Sequence, residues 1–176
     1  MKRALWLFLL LAFAQAAPPP FPENALGLGY RHPGAGVVSA GVVLPFAPLG
    51  LESGASLYLA ADPRFEDLRG YLNLGVLVFP GLAVGPAFGE VGGFVRLDGV
   101  KDRAGAGLGL ALGLASGLEL DAPLPLALYA QAGIGYLRGL RLSYGAGARA
   151  YLGERFALEA GLDDVLGAYA ALLYLW

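Results

Sequence analysis

The sequence predicts an all-β fold: a closed antiparallel up-and-down transmembrane β-barrel of ten strands that follows an N-terminal signal helix. A barrel of eight strands is the alternative. Large apolar residues alternate with small or polar ones along most of the chain, which is the period of a β-strand. Apolar residues make up 57% of the chain and 28 glycines come in addition, more than a water-soluble domain usually carries. The N-terminus also has the features of an export signal.

The N-terminal residues are predicted to form a secretory signal peptide. Two basic residues precede an uncharged apolar run, and Ala14 and Ala16 form a small-x-small cleavage pattern. The run is too short for a membrane-spanning helix, which needs about 18 or more apolar residues, and three prolines follow it. We therefore expect a signal peptide at 1–16, a Pro-rich segment at 17–23 and the β-barrel at 24–176.

Composition excludes several classes of protein. The chain has no cysteine, so disulfides and a lipid-modified N-terminal cysteine are excluded. Without Lys2 and Arg3, which belong to the signal peptide, 10 basic residues stand against 14 acidic ones. Since no basic cluster is present, we expect no nucleic-acid partner.

Membrane-spanning helices do not explain the apolar composition. The uncharged runs that approach the necessary ~20 residues are 33–51 and 70–89, and both contain prolines and many glycines. Within the stretch GAGLGLALGLASGL at 105–118, every second residue from 108 to 114 is a leucine. A strand places these leucines on one face, whereas a helix scatters them around its axis. The stretch is therefore predicted to be a strand.

The same alternation, interrupted by turn residues, predicts ten strands. They lie at 24–31, 36–45, 51–61, 68–79, 82–97, 103–115, 124–136, 140–152, 155–163 and 167–176. The odd-numbered connections carry most of the charged turn residues. Because odd connections share one end of an up-and-down barrel, this separation of charge favours ten strands over eight.

Polar residues of five strands fall on a single parity, which we predict to face the lumen. A basic residue on the lipid face of a barrel costs about 2–4 kcal/mol at the midplane, so the charged parity is expected to point inward. The predicted lumen-facing polar residues are Glu52, Ser56, Tyr58, Arg69, Tyr71, Asn73, Gln131, Arg141, Ser143, Arg149 and Glu159.

The predicted strand 82–97 lacks a single polar face, because Glu90 and Arg96 share the parity of its apolar residues. Two explanations are open. A β-bulge at Gly89 or at Gly92-Gly93 would exchange the two faces, or the hairpin extends beyond the membrane.

The hairpin formed by the predicted strands 140–152 and 155–163 is expected to contain an ion pair. If Leu152 pairs with Phe156 around a three-residue loop, Arg149 lies directly opposite Glu159. We expect this pair, with the other inward polar groups, to fill the lumen, so that conduction is small or absent.

The last predicted strand, GAYAALLYLW, ends on an aromatic residue, with Tyr174 two positions before Trp176. In this respect the chain resembles the superfamily of small bacterial outer-membrane β-barrels, whose members end in a strand with a terminal aromatic residue. The resemblance implies the cell outer membrane as the location, and outer-membrane lipid and the barrel assembly machinery as partners. It also implies that Tyr174 and Trp176 act as the assembly signal. Trp stands where Phe is usual, and the odd-numbered loops are no longer than the even-numbered turns.

No catalytic, metal or cofactor site is predicted. His32 is the single histidine and lies in a predicted turn, so a His-containing zinc site or a Ser-His pair has little support. We expect a protein that is not an enzyme and binds no cofactor: an outer-membrane barrel with a structural or limited-diffusion role. The alternative is a soluble periplasmic barrel that encloses an apolar ligand in the manner of lipocalins. The sequence leaves the oligomeric state open.

Overall fold

The computed structural model describes residues 23–44, 53–84 and 87–176, and the structural statements below concern these residues. The predicted signal peptide with Ala14 and Ala16, residues 17–22 and Glu52 lie outside the described residues. Within the described ranges, no helix is long and apolar enough to cross a membrane.

Ten β-strands form one closed barrel. Their bounds are β1 Ala25–Arg31, β2 Ala35–Val43, β3 Ser53–Ala61, β4 Leu68–Val84, β5 Ala87–Asp102, β6 Gly105–Leu120, β7 Leu126–Tyr136, β8 Leu140–Tyr151, β9 Phe156–Asp163 and β10 Gly167–Leu175. Each strand pairs antiparallel with its neighbours in the chain, and β1 pairs with β10. The predicted ten-strand up-and-down barrel is therefore confirmed, and the alternative of eight strands is wrong.

The strand pairing fixes the stagger of the barrel. From Gly29, the register partners through β2, β3 and β4 lead to Val100 of β5. The partners in the other direction, through β10 to β6, lead to Phe88 of the same strand, twelve residues away. Ten strands with this stagger tilt by about 40° from the barrel axis. The interior is then narrow enough for side chains to fill it.

Two strands are longer than the sequence analysis expected, and a third is shifted along the chain. The predicted turn at Pro80-Gly81 lies inside β4, which continues to Val84, and β6 continues to Leu120. The other strand bounds agree with the structure to within two residues, apart from β5, which spans Ala87–Asp102. We call the two ends of the barrel the odd-numbered and the even-numbered end, after the connections that lie there. The chain from 68 to 120 therefore forms hairpins that extend the sheet at the even-numbered end, where β10 also ends.

The irregular strand has a simple explanation. Residues 82–84 belong to β4, so the expected strand 82–97 combined parts of two strands. The register shifts lie between Leu77 and Phe79 and between Phe79 and Leu82 on β4. A bulge in β5 at Gly89 or at Gly92-Gly93 is therefore wrong. The extended hairpin does not explain Arg96 either, because Arg96 is an inward residue of β5 that lies fully buried inside the barrel.

The two faces of the barrel differ sharply in chemistry. Large apolar side chains are exposed on the outer face of all ten strands, and Leu108 of β6 reaches 87% exposure. Fully buried side chains of the inner face include Arg96, Glu159 and Asn73. The outer face therefore differs from that of a usual water-soluble domain, which exposes its charges, while the inner face combines buried charges with apolar residues such as Val37, Phe94 and Leu173.

Candidate functional site: the polar interior

The structure places the described members of the predicted polar set on the inner face. Ser56, Tyr58, Tyr71, Asn73, Ser143, Arg149 and Glu159 are buried, and Arg69, Gln131 and Arg141 are partly buried. Most of the charged members lie in two ion-pair networks at different heights in the lumen.

The first network, here called the hairpin network, is centred on the β8–β9 hairpin. Arg149 is the register partner of Glu159, and the Leu152 amide donates to the Phe156 carbonyl at 2.8 Å across the turn. This is the predicted register, which is confirmed. Arg149 Nη2 and Nε donate to Glu159 Oε2 at 2.7 and 3.2 Å. Because two nitrogens of a planar guanidinium converge on one oxygen, the pair is held in a fixed geometry.

The second oxygen of Glu159 accepts hydrogen bonds from tyrosines. The hydroxyls of Tyr58, Tyr169 and Tyr129 donate to Oε1 at 3.0, 2.9 and 3.4 Å. The hydroxyls of Tyr129 and Tyr169 also lie 2.9 Å apart. Glu159 is fully buried. These donors and Arg149 compensate its negative charge, which water cannot reach.

Glu23 completes the hairpin network from the even-numbered end. Its Oε2 lies 3.1 Å from Arg149 Nη1, and its Oε1 accepts from the Tyr151 hydroxyl. The sequence analysis assigned Glu23 to the Pro-rich segment and missed it as an interior residue. No signal was available, because Glu23 precedes the first strand and has no parity.

Glycines of β8 and β9 make room for the tyrosine rings. A Cβ atom on Gly147 would lie 2.2 Å from the Tyr129 hydroxyl oxygen and 2.6 Å from the Ala160 carbonyl oxygen. A Cβ atom on Gly161 would lie 2.7 Å from the hydroxyl oxygens of Tyr129 and Tyr169. The inward glycines thus let large side chains from other strands occupy the lumen.

The second network, here called the turn network, joins Arg96, Asp98, Arg141 and Asp164. Arg96 Nε donates to Asp98 Oδ1 at 2.7 Å, and Arg96 Nη2 donates to Asp164 Oδ1 at 2.8 Å. Arg141 also donates to both carboxylates. The Arg96 guanidinium lies 4.9 Å from the centre of the Tyr71 ring. Two cations and two anions therefore balance inside the barrel.

Asp164 reaches this position because the β9–β10 turn folds into the barrel. Asp163 Oδ1 accepts hydrogen bonds from the amides of Val165 and Leu166 at 2.7 and 2.6 Å. The side chains of Val165 and Leu166 are 1% and 0% exposed. They pack against residues of the inner face: Ala35, Val37, Tyr58, Ala60, Tyr71 and Tyr169. The turn therefore plugs the odd-numbered end, which the sequence analysis did not expect.

No known relative identifies this barrel. No protein-family model, no curated protein and no solved structure matches the chain. The chemistry of the site must be judged from its own residues.

The rim of the odd-numbered end carries a third, more exposed set of charges. Asp67 Oδ2 and Oδ1 accept from Arg31 Nη1 at 3.0 Å and Arg69 Nε at 2.8 Å. Burial raises the pKa of Asp67, but the hydrogen bonds and charges of Arg69 and Arg31 outweigh burial, and the pKa is lowered. Asp62 accepts from the amide of Asp67 at 2.8 Å, and this bond lowers the pKa of Asp62.

A metal site in the described part of the chain would require several ligand side chains close together. No group of three or more His, Cys, Asp or Glu side chains there is arranged to hold a metal ion. His32 is exposed in the β1–β2 turn. Inside the barrel, the arginines of the two networks form ion pairs with carboxylates, and these side chains occupy the lumen.

The two predicted assembly-signal residues lie at the end of β10. Tyr174 pairs with Leu26 of β1 and Phe156 of β9, and its ring contacts the Phe156 ring edge-on at 5.7 Å between centroids. The Trp176 amide donates to the Asn24 carbonyl at 3.1 Å, and its side chain is exposed.

Proposed function

We propose that the protein is an integral outer-membrane β-barrel with a structural role and a lumen closed to solutes. The observation that carries this proposal is the apolar belt, the band of exposed large apolar side chains on all ten strands. Exposed apolar patches of this extent on a soluble monomer would drive association, whereas a bilayer solvates them.

The charges inside the barrel support the same proposal. Arg96 and Glu159 are fully buried, while outward positions at similar depth carry leucine and valine. In a soluble lipocalin-like barrel, the apolar residues should line the interior and bind the ligand. Buried ion pairs occupy this interior at two heights, which favours the membrane barrel over the soluble alternative.

Aromatic side chains at the end of the barrel fit a membrane interface. Phe156, Tyr174 and Trp176 are all exposed on the outer surface near the even-numbered end. Aromatic rings of this kind are enriched where the hydrocarbon meets the headgroups. Together with the C-terminal strand, they support outer-membrane lipid and the barrel assembly machinery as partners, and the outer membrane as the location.

The filled lumen favours a structural role over diffusion. The hairpin network and the turn network lie at two heights, and Val165 and Leu166 occupy the mouth at the odd-numbered end. A purified barrel in a planar bilayer should therefore give no steady ion conductance. Stepwise conductance of the wild-type protein would contradict the closed lumen.

The membrane location is tested by Leu112→Arg. Leu112 is 58% exposed in the middle of β6, and an arginine there costs about 2–4 kcal/mol in a bilayer but nothing in water. The control is Leu152→Arg in the β8–β9 turn, which is 52% exposed and lies beyond the strands. We expect Leu112→Arg alone to abolish recovery of a heat-modifiable barrel from the outer-membrane fraction. A wild-type protein in the soluble periplasmic fraction, or two equally harmless variants, would contradict the proposal.

A further inference from the structure

The β9–β10 turn differs from other connections at the same end of the barrel. His32 and Pro33 are exposed in the β1–β2 turn, and Phe65 is 65% exposed in the β3–β4 loop. Val165 and Leu166, by contrast, lie inside the lumen. Apolar side chains are unusual in a short turn, and those of Val165 and Leu166 are explained by their contacts with the apolar residues of the inner face.

The turn is a self-contained unit. The two hydrogen bonds from the amides of Val165 and Leu166 to Asp163 Oδ1 lie within the turn, so they do not depend on contacts with other strands. Gly167, which follows it, has a φ of 78°, a conformation in which glycine is unstrained. The unit is tied to β8 by two hydrogen bonds of 3.1 Å with the Tyr144 backbone.

The cations that hold the turn all have a second anionic partner. Arg96 and Arg141 both contact Asp98 as well as Asp164, and Arg69, whose Nη1 lies 3.5 Å from the Val165 carbonyl, is paired with Asp67. Removal of the turn therefore leaves Arg96 and Arg141 in contact with the one carboxylate of Asp98, so neither arginine is without an anionic contact. One positive charge of the pair is then no longer balanced, and an incoming carboxylate would balance it.

The vacated volume would be a pocket with defined chemistry. We define the turn pocket as the surface that the turn covers: Val37, Ala60, Tyr71, Tyr169, Arg96 and Arg141. Its occupant offers a carboxylate to two guanidinium groups and branched aliphatic side chains to aromatic and aliphatic walls. A ligand of this pocket should therefore carry the same groups as the turn, a carboxylate and a branched aliphatic chain.

We propose that the turn pocket is a binding site for a short branched-chain aliphatic carboxylate, and that Asp164, Val165 and Leu166 are its resident competitor. The apparent affinity for such a ligand equals the intrinsic affinity reduced by the fraction of molecules whose turn is displaced. The proposal is independent of membrane location, and the lumen stays closed when ligand is bound because the hairpin network lies deeper in the barrel.

The probe is 4-methylpentanoate, with 4-methylpentanamide as the uncharged control, titrated calorimetrically into the full-length barrel in nonionic micelles. The double variant Val165→Ser/Leu166→Ser weakens the turn's hold, and Asp164→Asn removes only its charge. We expect Asp164→Asn to bind the carboxylate about fivefold more tightly than wild type and the double variant at least about tenfold more tightly, since each raises the displaced fraction. Phe65→Ser, in an exposed loop, should bind as wild type does.

Folding of each variant is read from the mobility of the unheated protein on a gel. If the double variant does not fold, Asp164→Asn decides, because its turn keeps both aliphatic side chains. Folded turn variants that bind no more tightly than wild type would overturn the proposal. So would equal binding of the amide, or binding that persists when Arg141→Gln is added. The assay uses micelles and measures neither location nor conduction, so its failure is distinct from failure of the proposed function.

Discussion

The hairpin network and the turn network present the same chemistry in two kinds of structure. Each compensates buried carboxylates with buried or partly buried arginines inside the barrel. Arg149 and Glu159 are held by the register of two paired strands, whereas Asp164 is held by a turn that has folded inward.

This difference predicts unequal sensitivity to mutation. Glu159 accepts from Arg149 and from three tyrosines, and within the described residues Glu23 is the other anion in contact with Arg149. In the turn network, Asp98 contacts both arginines and remains when Asp164 is removed. The hairpin network should therefore tolerate loss of an anion much less well.

The largest effect is expected for Glu159→Gln. Removal of the charge leaves Arg149 underpaired in a buried site, which costs on the order of 3 kcal/mol. Glu154→Gln, in the exposed β8–β9 turn, is the matched control and should change the free energy of unfolding by less than about 0.5 kcal/mol. Urea unfolding in micelles or vesicles measures both. If the two variants had similar free energies of unfolding, the buried carboxylate Glu159 would contribute no more to stability than the exposed Glu154, and the prediction would be wrong.

A smaller effect is expected for Gly147→Ala, which tests the packing around the hairpin network. The new methyl group would overlap the Tyr129 ring and the Ala160 carbonyl, and overpacking of this kind costs about 1–3 kcal/mol. Gly36→Ala is the control, because the nearest atom to its Cβ is the Ala61 carbonyl oxygen at 4.0 Å. If both variants unfold at the wild-type urea concentration, Tyr129 is not packed against Gly147.

Asp164→Asn and Asp98→Asn compare two anions of the turn network with each other. Asp164→Asn should cost about 1 kcal/mol, because Asp98 continues to pair with both arginines. Asp98→Asn should cost more, about 2 kcal/mol, because Asp98 is fully buried and part of the strand β5, although Asp164 continues to contact both arginines. The same urea titration applies. A larger loss for Asp164→Asn would reverse our ranking of strand-held and turn-held anions.

The smallest effect concerns the rim and depends on pH. The pKa of Asp62 is lowered, first by its hydrogen bond from the Asp67 amide, and the pKa of Asp67 is lowered as well. A group with a lowered pKa contributes stability that is present above its ordinary value of 3.8 and is lost as the pH falls through its value in the folded state. The 62–67 loop should therefore loosen in that acidic range, with the barrel intact. The protection factor of the Asp67 amide against hydrogen exchange, compared with that in Asp62→Asn, measures this. A protection factor that does not change with pH would contradict the prediction.

The same contrast explains what the sequence could predict. Strand alternation assigns Arg149 and Glu159 to the inner face, and a three-residue loop fixes their register, so local rules are sufficient. Asp164 follows no such rule, since a turn residue has no parity, and the inward fold of Val165 and Leu166 depends on tertiary contacts. The expected turn at Pro80-Gly81 assigned residues 82–84 to the wrong strand. Their apolar side chains shared the parity of Arg96, so Arg96 could not be assigned to the interior of β5.

The seam between β1 and β10 has a consequence for how the barrel assembles. Leu28 pairs with Val38, its near neighbour in the chain, and also with Leu172, which lies almost at the other end. Until that distant pair forms, both outer strands present open edges that can recruit a second chain. Contacts between such remote positions form slowly. The nascent chain must therefore remain shielded from other copies until its last strand has reached its first.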